Sequence, residues 1–499
     1  MTCQVKAAGR TLDVAPGTRL SQALNEADLY VETPCGNRGY CQKCAVRVVT
    51  TEGVSYQLSC QTFVTENMEV AIVPLNMADA QKAAMGRLSG PVAIDPWAPL
   101  LPAGRSAGFA LDVGTTSMVG ALLDLRTGEE LAAESRPNPQ AIHGADLMSR
   151  LAHATAGTGA DELQSLVTGA ARQLLDRLRS RAGVKPHEVT IAALVGNTAM
   201  HHLFLGLDVS GLAVAPYTPA VTAGQMARVP GLPPIYALPN IAGFVGADAV
   251  AAGLAAGIDQ GDATRLVVDI GTNGEMLLRH RGQVYACSAP AGPAFEGGEI
   301  SQGMRANPGA IEAVTFEDGQ LMVKTIAGAP ARGICGSGLL DAVAALLAAG
   351  QLDPTGRLAT GPAVALAAGV SLTQKDVRAL QLAKGAIRSG IDLLLTVAGI
   401  GPGDLDEILL AGAFGNYLRR ESAVAIGLLP PVDVERIRPV GNAAAAGAKL
   451  AMLSRGARAR AEALARDARH IDLATHPAFE EIFLAALNFP KGGGTAYPT

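Results

Sequence analysis

The sequence predicts a multidomain α/β protein: a small β-rich module, a proline-rich linker, and a larger α/β core built from two related halves. Three observations carry that expectation. Four of the seven cysteines stand at positions 35, 41, 44 and 60, within a short N-terminal stretch of β-branched runs and turn formers. Prolines 91, 96, 99 and 102 crowd the segment PVAIDPWAPLLP. Beyond it, FALDVGTTSMVGALLDL (109–125) and LVVDIGTNGEMLL (266–278) share one pattern: apolar strand, Asp, Gly-Thr turn, second apolar strand.

Composition bounds the functions open to the chain. Its 499 residues are 49% hydrophobic, 17% charged and 4% aromatic, with 40 basic and 45 acidic side chains giving a net charge of −5. No block of like charge is present, which excludes the footprint of a nucleic-acid binder and a basic patch for an anionic membrane. The N-terminus lacks an apolar h-region, and no apolar stretch reaches the ~20 residues a bilayer needs. A cytoplasmic protein is expected. An odd number of cysteines without an export signal argues against a disulfide framework.

Taken in order, residues 1–76 read as the β-rich module. Strands at Gln4–Ala7 and Thr11–Val14 flank a turn at Gly9, and a helix over Ser21–Ala27 follows, with Thr18 or Ser21 as N-cap. The loop PCGNRGYCQKC leads to a strand over Ala45–Thr51, and the alternating run Met68–Val73 closes the module. That order is the order of a β-grasp fold. Residues 77–106 are the linker, stiffened because proline fixes φ; its lone Trp97 is expected to pack on a neighbouring domain. Residues 107–240 and 241–490 form the two halves of the core, and 491–499 a disordered tail.

The spacing Cys35-x5-Cys41-x2-Cys44-x15-Cys60 places four thiolates on one loop and the strand after it. Such a set surrounds a compact inorganic core, with Gly36 and Gly39 letting backbone amides turn toward its sulfurs. Structural zinc and redox-active thiols are the alternatives, although zinc sites usually present two short C-x2–4-C knuckles and only one is present here. A [2Fe–2S] cluster is the preferred reading. Cys3, Cys287 and Cys335 fall outside the set and are expected to be buried small hydrophobes.

In the two repeated hairpins, Gly114, Thr115 and Thr116, and likewise Gly271, Thr272, Asn273 and Gly274, offer amides and hydroxyls to phosphate oxygens. Asp112 and Asp269 cannot bind phosphate directly, so their place is on Mg²⁺ or an activating water. A third turn, ILLAGAFGNYL (408–418), sets Gly412, Ala413, Phe414, Gly415 and Asn416 where a flat adenine or ribose could lie on the backbone. Gly336, Ser337 and Gly338 open a connecting helix, and 441–451 reads as a tightly packed helix behind the third turn. Glu275 and Glu296 are candidate carboxylates for water or Mg²⁺, Asp248 is a catalytic carboxylate or equally a helix N-terminal acid, and adjacent His201 and His202 point apart and are assigned to packing or capping. No Walker A pattern occurs, so a P-loop NTPase is excluded.

The three turns resemble the phosphate-1, phosphate-2 and adenosine motifs of the superfamily of actin, sugar kinases and heat-shock chaperones, whose core is actin-like, a duplicated RNase H-like fold. The first three cysteines resemble those of adrenodoxin-like ferredoxins, with a shorter final gap. Joined in one chain, the two resemble the reductive activators of corrinoid proteins; LVGNTAMHHLFLG (194–206), APAGPAFEGGEISQGMR (289–305) and HPAFEEIFLAALNFP (476–490) also look like that family. The resemblance implies ATP-dependent reduction of Co(II) to Co(I) on a corrinoid-binding methyltransferase protein. It further implies an external low-potential electron donor and leaves a homodimer open. If the cobalt couple lay ~120 mV below the cluster, one electron would climb about 2.8 kcal/mol, a hundredfold unfavourable equilibrium that nucleotide hydrolysis could offset. Two other functions fit the same motifs: a small-molecule kinase with a redox-sensing module, and a nucleotide-gated electron carrier.

Overall fold

The computed structural model describes residues 2–27, 29, 31, 33, 37, 44–51, 53–71, 86, 88, 92–98, 100–102, 104–144, 146–271 and 273–491. Cys35, Cys41, Thr272, the side chain of Ala413 and the tail from 492 lie outside them, as does half of the expected linker.

Alternation of buried and exposed side chains builds the N-terminal sheet. Along β1 (Cys3–Ala7) the odd positions point inward, and β1 pairs antiparallel with β2 (Arg10–Val14). β3 (Ala45–Thr50) and β4 (Gly53–Leu58) form a hairpin, and β5 (Met68–Ala71) inserts between β1 and β3. The order β2-β1-β5-β3-β4, with β1 and β5 parallel, is the β-grasp arrangement. The helix Leu20–Glu26 buries Leu20, Ala23 and Leu24 against Val5, Val48 and Val70.

Its start corrects the expected capping. Arg19 occupies the N-cap and makes no side-chain cap, so neither Thr18 nor Ser21 serves. The first amides are met by other means: Leu20 N donates to the Thr62 carbonyl at 2.8 Å and Ser21 N to that of Ser59 at 3.0 Å. Tertiary contact replaces the local cap, because every early amide needs some acceptor.

The core repeats one sheet twice. In the first, β6 (Ala107–Val113), β7 (Ser117–Asp124) and β8 (Glu130–Pro137) form an antiparallel meander. β6 also pairs in parallel with β9 (Val189–Gly196); β10 (Gln225–Ala227) and β11 (Ile235–Ala237) complete it. In the second, β12 (Arg265–Ile270), β13 (Gly274–His280) and β14 (Gln283–Ala289) form the meander. A side sheet of β15 (Ala310–Glu317), β16 (Gln320–Thr325) and β17 (Gly333–Ile334), and the hairpin β18 (Ala363–Ala367) with β19 (Val370–Thr373), intervene. β20 (Glu407–Ala411), β21 (Ile437–Gly441) and β22 (Arg469–His470) finish the second sheet. The runs β11-β9-β6-β7-β8 and β21-β20-β12-β13-β14 are equivalent, so the sequence repeat is a structural one.

The glycine- and alanine-rich composition serves the seam between the halves. Helices Ala247–Ala255 and Ala443–Leu453 cross so closely that a Cβ on Gly447 would fall 2.0 Å from the Ala251 carbonyl oxygen. A Cβ on Gly108 would lie 2.5 Å from Met452 Sδ. Small side chains let the two sheets share one helical layer. The expected packing of Trp97 is present: its ring meets Tyr236 edge-on at 5.9 Å, with the Arg458 guanidinium 5.0 Å above it. Among the described residues, no helix is long and apolar enough to cross a membrane.

Candidate functional site

The two hairpin turns set the geometry of the cleft. Asp112 and Asp269 are the penultimate residues of β6 and β12, each just before its turn. The first turn closes with Gly114 N donating to the Ser117 carbonyl at 2.9 Å, the second with Gly271 N donating to that of Asn273 at 3.1 Å. Asn442 Nδ2 donates to Asp112 Oδ2 at 3.2 Å. The third turn reaches the same place, since Gly412, at φ +86°, leaves room where a Cβ would stand 2.6 Å from Asp269 Oδ1. Asp248, at the start of Ala247–Ala255, holds its Oδ1 2.8 Å from the Ala249 amide.

These acids raise one another. Burial in the cleft, then the charges of Asp248 and Asp269, pushes Asp112 up to about 7, against the pull of Asn442. Burial and Asp248 push Asp269 up to about 7. Asp248 rises to about 6 through burial, and Glu275 rises well above the carboxylate range through burial and the two aspartates. The four are half-buried at the foot of the cleft, where a low local dielectric strengthens repulsion.

Several other residues named from the sequence also converge here. Thr116 Oγ1 meets Glu296 Oε2 at 3.4 Å, joining the first hairpin to the second half. The Phe414 ring stacks on Phe295 at 5.4 Å, and a Cβ on Gly336 would be 2.6 Å from Phe414. Gly338 packs against the Ile311 carbonyl and Ser337 Oγ donates to the Glu312 carbonyl at 2.9 Å, which seats the opening of helix Gly336–Ala348 on β15. Beside Gly415 opens a cavity of about 400 Å³, also lined by Leu418, Arg419, Arg420 and Pro439. Asn416 lies against Gly441. His201 and His202 sit apart from this cleft: His202 Nδ1 is 2.7 Å from the Thr198 carbonyl, and His201 Nδ1 faces Asn240 at 3.4 Å.

The supports of the first turn were not foreseen from sequence. Arg150, fully buried, donates through Nη2 to the Thr115 carbonyl at 2.6 Å and through Nε to that of Gly144 at 2.9 Å. Asn138 Nδ2 donates to the Gly114 carbonyl at 2.8 Å, and Asn197 Nδ2 to Thr115 Oγ1 at 2.9 Å. Asn138 and Asn197 also cap the next helices, and an Asn before a helix was their only sequence signal.

In the N-terminal module, Cys44 and Cys60 are fully buried with their thiols facing each other. Burial, then Cys60, pushes the Cys44 thiol up to about 11. Gln61 Nε2 points at Cys60 Sγ at 3.5 Å. Two adjoining buried sulfurs with an amide donor beside them suit a soft metal, whose charge would favour the thiolates. Asn37, between Cys35 and Cys41 in sequence, donates from Nδ2 to the Ile142 carbonyl at 3.2 Å, so the cysteine loop touches the core. Cys3, Cys287 and Cys335 are buried apart from this pair; burial and Glu275 push the Cys287 thiol up.

Known proteins share this whole arrangement. Residues 3–65 match the 2Fe–2S iron–sulfur cluster binding domain, 107–261 the RACo middle region, and 263–499 the C-terminal domain of RACo, the ASKHA domain. The corrinoid activation enzyme RamQ of Eubacterium limosum is 35% identical over 76% of this chain and 69% of its own. The [Co(II) methylated amine-specific corrinoid protein] reductase of Methanosarcina barkeri is 30% identical, covering 77% of each. The chain belongs to the family of corrinoid-protein reductive activators. A solved structure of a reductive activator for a corrinoid, iron–sulfur protein superposes with a TM-score of 0.71, at 28% identity, over 98% of both chains. The family carries an iron–sulfur domain ahead of an actin-like ASKHA core, as this chain does.

Proposed function

We propose that this activator uses ATP to reduce a corrinoid protein from Co(II) to Co(I), with the electron passing through a [2Fe–2S] cluster held by Cys35, Cys41, Cys44 and Cys60. One observation carries the coupling of the two activities. The turn 138–142 touches both sites: Asn138 holds the Gly114 carbonyl of the first hairpin, and the Ile142 carbonyl accepts from Asn37 in the cysteine loop. A shift of the hairpin around nucleotide is thereby felt where the electron-carrying module docks.

When bound, the cluster supplies the electron and Mg-ATP the driving free energy. Gly114–Thr116 and Gly271–Gly274 receive the phosphates, and Gly412–Asn416, with the helix opening at Gly336–Gly338, receives the adenosine. Asp112 and Asp269 would hold Mg²⁺ or an activating water, and Glu275 would orient water. A bound dication would relieve the repulsion that raises them. The segments 1–76, 77–106, 107–240 and 241–490 act as electron module, tether and two closing halves. An external low-potential donor recharges the module.

The test mixes reduced protein anaerobically with a Co(II) corrinoid methyltransferase protein and follows the Co(I) absorption band with and without Mg-ATP. ATP-dependent Co(I) is expected, and it should vanish in Cys41→Ser. Co(I) formed by the cluster-free variant would overturn the electron route. ATP turnover that yields a phosphorylated small molecule and no Co(I) would make the protein a kinase.

A further inference from the structure

A second constellation of ligating side chains stands apart from both sites. His143 follows the turn 139–142, His153 lies in the last turn of helix Leu147–Ala154, and Glu162 in the first turn of helix Gly159–Ala182. One ligating atom from each falls within 4.8 Å of the other two. The imidazoles stack at 4.1 Å with 21° between their planes. His153 Nε2 lies 3.0 Å from Glu162 Oε2, close to the ~3.3 Å that separates two donors on one tetrahedral ion with ~2.05 Å bonds.

We infer that His143, His153 and Glu162 form a site for one divalent metal ion of the zinc class, bound by two imidazole nitrogens and one carboxylate oxygen. The donor set selects the class: imidazole suits zinc and its neighbours, whereas magnesium and calcium take all-oxygen shells. Three protein ligands leave a fourth position to water. The carboxylate is already oriented from behind, since Thr158 Oγ1 donates to Glu162 Oε1 at 2.8 Å. An ion pair alone explains His153 and Glu162 but does not account for a ligating nitrogen of His143 within 4.8 Å of both.

The position gives the ion a task. His143 adjoins Ile142, whose carbonyl receives Asn37 of the cysteine loop. His153 shares its helix with Arg150, which holds the first turn of the cleft. An ion here ties the turn 139–142 to two helices and braces the contact between module and core.

The test uses the full-length, cluster-loaded protein, with iron measured separately so that zinc at the cysteines is recognised. Zinc is titrated against a chromophoric chelator, and its shell is read by X-ray absorption. One zinc per chain is expected, with two imidazoles and an oxygen in the shell. His143→Asn and His153→Asn should each weaken binding at least tenfold, with iron content and the cluster absorption unchanged. Glu162→Gln, which keeps shape and packing, should weaken it less. Zinc binding equal to wild type in both histidine variants, or none at micromolar zinc in the wild type, would overturn the assignment.

Discussion

The two hairpins share a sequence pattern and a place in their sheets, yet they are held in different ways. The first is gripped by polar side chains: Arg150, Asn138 and Asn197 reach Thr115 and Gly114 from behind. Among the described residues, the second is held by close approach of backbone and side chains. A Cβ on Gly274 would come within 2.8 Å of Ile387 Cγ1, and Gly412 presses directly on Asp269. Polar grips fix direction through a few strong bonds, whereas tight packing fixes position through many weak ones. The difference teaches that a duplicated motif conserves what faces the cleft and leaves its backing free to diverge.

Four changes would break or sharpen that contrast, beginning with the largest effect. Arg150→Met keeps volume but strands the Thr115 and Gly144 carbonyls, and should cost about 3 kcal/mol in denaturant unfolding. A loss well under 1 kcal/mol would show that the polar grip is ornamental. Gly412→Ala places a Cβ against Asp269 at a left-handed φ, and should cost about 2 kcal/mol while abolishing ATP turnover. Normal turnover would mean that the third turn does not set Asp269. Asn138→Ala removes one bond to the Gly114 carbonyl and one helix cap, for about 1 kcal/mol. Its ATP affinity should fall more than its stability implies, measured by calorimetric titration.

The smallest effect is on pH dependence. Asp112 and Asp269 release their protons near pH 7 when folded, against about 4 when unfolded. Between those values the folded chain binds more protons, so their contribution to stability is full at low pH and lost as pH rises to about 7. Nucleotide-free Asp269→Asn should therefore gain melting temperature relative to wild type as pH rises from 4 to 7. A gap that stays flat would mean that the acids are already compensated.

Both hairpins and the cysteine set were legible because their chemistry is local: an Asp-x-Gly-Thr turn or a run of cysteines declares itself within a few residues. The polar grip was not, since Arg150 lies far from Thr115 in sequence and looks like any arginine on an amphipathic helix. β4 (Gly53–Leu58) was also missed. Its sequence GVSYQL carries Ser and Gln at exposed or half-exposed positions and pairs only with β3, so no strong period marks it. The helix at Leu20 misled in the other direction: Thr18 and Ser21 are good capping types, but the carbonyls of Ser59 and Thr62 had already met the need.

The segment before the core is pinned early. The buried Lys449 ammonium donates to the Gly86 carbonyl at 2.6 Å, and Asp95 N and O both bond the chain around Ser454. Fifteen steps of chain separate Ala71 from Gly86, a span of at most about 54 Å. Covalent connection over so short a span confines the iron–sulfur module near its own core at an effective concentration on the order of millimolar. Breaking the contact of Asn37 to Ile142 would therefore leave the module covalently within reach of its own core, with no second binding event from solution needed to restore it.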